Sequence, residues 1–173
     1  MLRPVSLLLI CCLPVAGCFP TQAPERLPVH KTVAAAASAD EAYHLDLSGA
    51  GLKAIPAELA SLRGMAKLTL RGSNLGSLPV GLGDLSDLPW LDMGNAGVSA
   101  LPADIGRMKT LTTLYLSDNK LKTLPGGIGE LVNLNYLNLD RNQLSELPLE
   151  IGPLPTLKWL RLTRTHLTAL PHE

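Results

Sequence analysis

The sequence predicts an α/β solenoid whose repeats build one parallel β-sheet of about six strands, with short 3₁₀ or irregular segments opposite the sheet. The first observation is a leucine that recurs every 23 residues without insertion or deletion. The second is an alternation of apolar and polar residues around these leucines, which is typical of a β-strand. A fixed period of this kind indicates a solenoid, because stacked repeats bury leucines that a single repeat leaves exposed. The leading leucines are Leu45, Leu68, Leu91, Leu114, Leu137 and Leu160.

Other positions of the repeat are equally regular. A proline follows each leading leucine, and because proline removes a backbone donor we expect it to end strand pairing. Glycines recur later in the repeat and permit tight return segments. Six strands at about 4.8 Å per step predict a sheet about 24 Å wide. The prolines are Pro56, Pro79, Pro102, Pro125, Pro148 and Pro171, and the glycines are Gly83, Gly106, Gly129 and Gly152.

The overall composition excludes several classes of protein. The chain has 173 residues, and its 15 basic and 15 acidic side chains balance, which gives no general attraction to nucleic acid. Apolar residues make up 46% of the chain, too many for a disordered protein. All cysteines precede residue 19, so the rest of the chain has neither a disulfide framework nor a cysteine metal site. We expect no cofactor.

Residues 1–17 have the layout of a secretory signal peptide, with a positive start and an apolar stretch too short to span a bilayer. The end of this segment, Val15-Ala16-Gly17-Cys18, resembles the lipobox of bacterial lipoproteins. The resemblance implies cleavage before Cys18, a diacylglycerol on its thiol and acylation of its new amine. The alternative is an ordinary secretory signal cut elsewhere, with Cys18 incidental. In bacterial lipoproteins an aspartate directly after the cysteine favours retention in the inner membrane. This chain has Phe19 at that position, so the resemblance favours the outer membrane in a host that has one.

A tether and a cap are expected before the repeats. Residues 18–37 carry prolines and no periodic apolar pattern, which predicts a Pro/Ala-rich, semi-extended tether with a reach of about 60 Å. Residues 38–44 are expected to form an N-terminal cap segment, aided by a short helix near residues 34–37. Residues 45–173 then form the repeat domain, with six repeats of which the last is truncated.

The segment Leu111-x-x-Leu114-x-Leu116-x-x-Asn119-x-Leu121 resembles the leucine-rich repeat pattern. The resemblance covers residues 45–171 and fits the typical 23-residue class found in bacteria. It implies a horseshoe arc, and a ladder of asparagines whose amides bond the backbone of adjoining turns. Only Asn119 and Asn142 occupy the ladder position, so we expect looser packing in repeats one and three, where alanine stands instead.

Residues flanking each buried leucine face the open, concave side of the sheet, because side chains alternate along a strand. Four of the chain's six aromatic residues fall on this side. Trp, Tyr and Arg dominate binding hot spots, which favours a partner-binding face; the alternative is that aromatic residues merely suit strands. Arginines in the last two repeats predict an acidic partner surface there. The candidate binding residues are His44, Asp46, Lys67, Thr69, Trp90, Asp92, Tyr115, Tyr136, Asn138, Asp140, Arg141, Trp159, Arg161 and Arg164.

No catalytic constellation is visible in the sequence. Only His44 lies near an acid on the predicted face, without a placed nucleophile or three convergent metal ligands. We therefore expect a non-enzymatic, monomeric, lipid-anchored envelope module that binds a protein, and no nucleic acid. The alternatives are a binder of envelope glycan or peptidoglycan, which would stack sugars on Trp and Tyr, and a cytosolic leucine-rich repeat regulator.

Overall fold

The structure, a computed structural model, describes residues 9–10, 27–78 and 81–169. The strands found within these residues are β1 (Leu9–Ile10), β2 (Val29–His30), β3 (Tyr43–Asp46), β4 (Met65–Thr69), β5 (Trp90–Asp92), β6 (Thr113–Tyr115), β7 (Tyr136–Asn138) and β8 (Trp159–Arg161). All pair in parallel in one sheet, in the order β1-β8-β7-β6-β5-β4-β3-β2. Strands β3 to β8 lie where the repeat predicts six strands, which confirms the solenoid.

The side opposite the sheet is built from short 3₁₀ helices, as predicted. In the described residues these helices are η1 (Ala57–Ser61), η2 (Leu82–Asp84), η3 (Ala103–Arg107), η4 (Gly126–Glu130) and η5 (Leu149–Ile151). A proline with an extended backbone conformation immediately precedes four of these helices. The repeated proline therefore marks the point where the strand part of each repeat ends and the return segment begins. Pro79, Leu170 and Pro171 lie outside the described residues.

The 23-residue period fixes the register of the sheet. Each strand pairs with its neighbour at equivalent repeat positions, such as Leu91 with Leu114 and Leu114 with Leu137. The leading leucines therefore stack directly on one another, and each of the six is at most 1% exposed. This continuous column between the sheet and the 3₁₀ helices is the core that a single repeat could not form.

Glycines allow adjacent 3₁₀ helices to approach closely. A Cβ on Gly83 would lie 2.2 Å from the carbonyl oxygen of Asp104, and one on Gly129 would lie 2.6 Å from that of Glu150. The equivalent residue of the first repeat is Ala60. Two cavities of about 330 and 310 Å³ meet at this alanine, between the first two repeats. The methyl group of Ala60 explains the opening, because it occupies space that glycine leaves free elsewhere.

The hydrogen bonds of the asparagine ladder also reach a repeat that has no asparagine at the ladder position. Asn119 and Asn142 are both buried, and their amides bond backbone groups of their own and the preceding repeat. The expectation of loose packing is wrong for repeat three, because Ala96 is fully buried and its N–H donates to Asn119 Oδ1 at 3.1 Å. In repeat one, Ala50 is exposed.

The N-terminal part of the domain starts earlier than the sequence predicted. Strand β2 pairs with β3, and helix α1 (Val33–Ala36) follows, so residues assigned to the tether belong to the fold. Thr32 caps α1, because its hydroxyl accepts a hydrogen bond from the N–H of Ala35 at 3.2 Å. The His30 ring packs edge-on against buried Tyr43, with ring centroids 5.1 Å apart. The chain therefore covers the N-terminal edge of its own sheet from residue 29 rather than 38.

Most of the predicted leader lies outside the described residues. That applies to Cys18 and to residues 1–8 and 11–26. Strand β1 belongs to the leader, and it pairs with β8 at the other edge of the sheet. Among the described residues, no helix has the length and apolar character needed to cross a membrane.

Candidate functional site

The sheet register places the predicted binding residues in rows across one face. We define the open face as the strand residues that alternate with the buried leucines, together with the turn residues that follow each strand. Tyr136 pairs with Thr113 on one side and with Trp159 on the other, so residues 23 positions apart become neighbours. All fourteen predicted binding residues lie on this face.

Aromatic rings form a connected row along the open face. The rings of Trp90 and Tyr115 have centroids 5.2 Å apart, and those of Tyr115 and Tyr136 are 5.0 Å apart, both pairs tilted. Lys67 Nζ lies 3.7 Å from the centroid of the Trp90 ring, which is a cation–π contact. Trp159 follows next to Tyr136 in the register. The row spans repeats two to six and combines a rigid apolar surface with a cation at one end.

Five of the predicted binding residues have side chains that are buried by their neighbours on the open face. Tyr136 is only 1% exposed, and Asp140 is 2% exposed. The others that are buried are Thr69, Asp92 and Asn138. A partner cannot contact these five side chains unless their neighbours move. The accessible part of the predicted site is therefore smaller, with His44, Asp46, Lys67, Trp90, Tyr115, Trp159, Arg161, Arg141 and Arg164 partly or fully exposed.

Every aspartate of the open face is paired with a cation from an adjacent turn. Asp140 Oδ2 lies 2.6 Å from Arg161 Nη2, and Asp118 Oδ2 lies 2.6 Å from Arg141 Nη2. Asp92 lies 3.6 Å from Arg71, and Asp46 contacts Lys31. These pairs between neighbouring repeats occupy the carboxylates, so they are not free for a ligand.

The sequence did not indicate the pair between Lys31 and Asp46, because Lys31 stands in the predicted tether, outside the repeat register. The turn that follows β2 brings it against the sheet. Asp46 also accepts a hydrogen bond from the N–H of Ser48 at 3.0 Å.

These contacts and burial shift the pKa values of several side chains on the open face. Burial acts to raise the pKa of Asp46, but its hydrogen bonds to Lys31 and Ser48 outweigh burial and hold the pKa well below its usual range. The hydrogen bond from Arg141 lowers the pKa of Asp118. Burial, reinforced by Tyr136, raises the pKa of Tyr115 to about 12. The face therefore carries fixed carboxylates and a protonated, neutral tyrosine at physiological pH.

The turn after each strand contains one residue in the left-handed backbone region. These residues are spaced by 23 and are Gly49, Gly72, Asn95, Asp118, Arg141 and Arg164, with φ of 67, 69, 50, 60, 54 and 58°. Glycine, asparagine and aspartate tolerate this region, whereas arginine seldom occupies it. Two strained arginines therefore lie at the C-terminal end of the open face, and the repeat position alone did not reveal that strain.

The candidate histidine has one close partner. Its Nε2 lies 2.8 Å from Thr69 Oγ1, and burial, with Lys67 nearby, lowers the pKa of His44. Among the described residues no carboxylate hydrogen-bonds to His44, so the arrangement lacks the orienting acid of a catalytic triad. No group of three His, Cys, Asp or Glu side chains suited to a metal occurs in the described part of the chain.

Residues 94–144 and 109–167 match the family model described as leucine rich repeat. These segments are leucine-rich repeats. Leucine-rich repeat domains are typically protein-interaction modules and generally not enzymes. No curated protein matches the sequence.

Three solved structures are similar to about two thirds or more of this chain. The leucine-rich repeat protein LIC12759 of Leptospira interrogans is 37% identical, with a TM-score of 0.74 over 84% of this chain and 38% of that one. The plant peptide hormone receptor RGFR1, solved in complex with RGF2, is 34% identical, with a TM-score of 0.59 over 66% and 19%. The repeat domain of the type III effector XCV3220 (XopL) is 33% identical, with a TM-score of 0.60 over 66% and 42%. This chain spans less than half of each of these chains.

Proposed function

We propose that this chain is a lipid-anchored module of the cell envelope that binds a protein partner through its open face. The leucine-rich repeat fold supports the class of activity, because such domains typically bind proteins. The lipobox-like ending at Cys18 supports the anchor and, through Phe19, an outer-membrane location. The proposed organisation is a leader over 1–17, an anchored tether from 18, a cap that begins at β2, and repeats from 45.

The observation that carries the proposal is the accessible aromatic row. Trp90 and Tyr115 are both part-exposed, in ring contact with each other, and are held by strands whose register is set by the buried leucines. Rigid aromatic side chains supply binding energy at a low entropic cost, which is why Trp and Tyr dominate hot spots. The receptor RGFR1, a structural relative, is itself known in complex with RGF2. An analogous role for the open face of this chain follows by similarity.

The test is capture of the partner from intact envelopes by the full-length chain. Trp90→Ala should lower the yield of the captured partner at least about tenfold, which is the effect of a hot-spot residue. Leu149→Ala is the matched control, because Leu149 is an exposed apolar side chain, 65% accessible, on η5, opposite the sheet. Tyr136→Ala is unsuitable because Tyr136 is buried. Equal capture by wild type and Trp90→Ala would contradict the proposal.

A glycan ligand is the second candidate, favoured by the exposed rings of Trp90 and Tyr115, because aromatic faces also stack on sugar rings. Isolated peptidoglycan should retain the protein only in that case. Retention that Trp90→Ala abolishes would replace the protein partner with a glycan.

The anchor requires its own experiment. Metabolic acyl labelling should mark the wild-type chain and not Cys18→Ser, and protease treatment of intact cells would then separate surface from periplasmic exposure. An unlabelled wild-type chain would contradict lipid anchoring while leaving the interaction role standing.

A further inference from the structure

The open face carries more positive than negative charge, although the whole chain is neutral. It presents six cations, counting Lys31 of the cap, and four aspartates. The four aspartates are each paired with one cation. The two cations outside these pairs are Lys67 and Arg164. No carboxylate of the described residues lies within the 4.0 Å ion-pair distance of either one.

Lys67 is positioned to receive an anion. Its ammonium lies over the face of Trp90, and Asp46 and Asp92 act on it only from beyond ion-pair distance. Its side chain is only part-exposed and burial lowers its pKa, so the ammonium is less hydrated than one in open water. A carboxylate that approached the edge of Trp90 would therefore gain an ion pair with a partly desolvated cation, and such pairs are stronger than those in open water.

Arg164 is the second candidate for an ion pair, at the other end of the face. Its predecessor in the repeat, Arg141, pairs with Asp118 one repeat earlier. The residue one repeat before Arg164 is Arg141, which is also a cation, so the described residues offer Arg164 no acid at the equivalent place. Arg164 is exposed and has a left-handed φ of 58°, as the equivalent residue of every repeat has.

The separation between the two cations sets the size of the ligand. They lie in repeats two and six, four strand steps or about 19 Å apart across the sheet, and Arg164 also lies farther along its repeat, in the turn after β8. An extended segment of six residues spans about 20 Å. The part-exposed rings of Trp90, Tyr115 and Trp159 lie between the two cations in the register.

We propose that the partner presents an extended acidic segment that crosses the strands, with carboxylates about six residues apart at Lys67 and Arg164 and apolar side chains between them on the aromatic row. This inference rests on the proposed function, that the open face binds a protein. The sequence predicted an acidic partner surface opposite the last two repeats. The present inference adds a partner acid opposite repeat two and states the distance between the two acids.

The assay uses the two tryptophans as reporters, because the chain has only Trp90 and Trp159 and both lie on the open face. The probe is the tryptophan-free peptide acetyl-Glu-Thr-Leu-Thr-Leu-Thr-Glu-amide, whose two Glu and two Leu side chains share one face when it is extended, titrated into the full chain at low salt. Matched peptides carry Gln in place of both Glu residues, or the two Glu residues side by side at one end. Single-tryptophan forms made by Trp90→Phe or Trp159→Phe assign the response to one end of the face.

The seven-residue acidic peptide should change the emission of both tryptophans and bind at least about tenfold more tightly than the Gln peptide, with affinity falling as salt rises. Lys67→Gln and Arg164→Gln should each weaken it about three- to tenfold. Lys122→Gln, an exposed lysine outside the open face, should leave it unchanged. Circular dichroism of each variant confirms that it is folded.

Two outcomes separate failure of this inference from failure of the proposed function. Equal affinity for the Glu and Gln peptides, or no emission change with any peptide, overturns the acidic-segment inference. If Trp90→Ala still abolishes partner capture in that case, the proposed function stands. If Trp90→Ala leaves capture unchanged as well, both proposals fail.

Discussion

Asn119 provides the hydrogen-bond acceptor that the backbone around Ala96 needs. Its Oδ1 accepts from the N–H of Ala96 at 3.1 Å and from that of Val98 at 2.9 Å. Its Nδ2 donates to the carbonyl oxygens of Met93 and Leu116 at 2.8 and 2.9 Å. One buried amide therefore joins repeats three and four, and the alanine of repeat three is tolerated because its neighbour supplies these bonds.

Asn119→Ala should lower the free energy of unfolding by about 3 kcal/mol, because it leaves the buried N–H groups of Ala96 and Val98 and the carbonyl of Met93 without this partner, while the carbonyl of Leu116 keeps the amide of Asn142. Urea unfolding followed by circular dichroism measures the loss.

Asn142→Ala is the matched comparison, and its cost should be about 1 kcal/mol smaller. Asn142 Oδ1 accepts from one backbone N–H, that of Leu121, while its Nδ2 also donates to two carbonyls. A larger loss for Asn142→Ala than for Asn119→Ala would contradict this account of the ladder.

Gly129→Ala should destabilise the stack of 3₁₀ helices by about 1–3 kcal/mol, because the new methyl group would lie 2.6 Å from the backbone oxygen of Glu150. Thermal unfolding of the two forms provides the measurement.

Gly152→Ala tests the same repeat position where no 3₁₀ helix follows among the described residues. The nearest atom to its new Cβ is Leu149 O at 3.4 Å, and its backbone is right-handed helical with φ −61°. We therefore expect no loss, or a gain of about 0.5 kcal/mol from the lower entropy of the unfolded chain. Equal destabilisation at both glycines would show that helix approach is not the reason for the glycine.

Asp140→Ala should cost about 2–4 kcal/mol, since it removes the carboxylate that pairs with Arg161 and the acceptor of the Thr163 N–H, which lies 2.7 Å from Asp140 Oδ1. Chemical unfolding at low and high salt checks this value and should show little salt dependence, because Asp140 is 2% exposed.

Asp118→Asn removes a more exposed pair, with side chains 29% and 48% accessible, and should cost less than about 1 kcal/mol, because asparagine also tolerates the left-handed φ of 60°. Its effect should also shrink at high salt. If the two substitutions were equally costly, burial would not be what distinguishes these pairs.

Stability should fall as the pH is lowered below about 6.5, because burial lowers the pKa of His44 in the folded chain. The unfolded chain then takes up the proton at a higher pH than the folded chain, so protons favour unfolding. The contribution of His44 to stability is fully present above its pKa in the unfolded chain, and it declines as the pH falls toward its pKa in the folded chain. Unfolding measured from pH 7.5 to 5 avoids the range in which carboxylates titrate.

His44→Gln should flatten this part of the profile, because glutamine keeps a polar partner for Thr69 without taking up a proton. His166→Gln, at an exposed position, should retain the slope. An unchanged slope in His44→Gln would assign the dependence to another group.

The strand positions were predictable because leucine recurs with the period of the structure. Leu91 and Leu114 share one position in the repeat and pair directly in the sheet, so spacing in sequence becomes register in space. The same reasoning placed Trp90 and Tyr115 on the open face, where the structure has them.

Exposure within that face was not predictable from spacing. Tyr136 and Trp159 occupy equivalent positions, yet Tyr136 is 1% exposed and Trp159 is partly exposed. Burial here depends on side chains from both neighbouring strands, and a periodic pattern does not describe their sizes and angles. Strand β2 was missed for a related reason: its two residues are too short a run to show alternation, and pairing with β3 determines their conformation.

If the proposed anchor at Cys18 is correct, strand β2 sets how far the domain can stand from the membrane. Ten residues then separate the anchor from Val29 and reach at most about 33 Å rather than about 60 Å. The volume within reach scales with the cube of this length. Confinement to the shorter leash therefore raises the local concentration of the open face near a membrane-bound partner about sixfold. An affinity too weak for capture from solution can then suffice at the surface that holds both proteins.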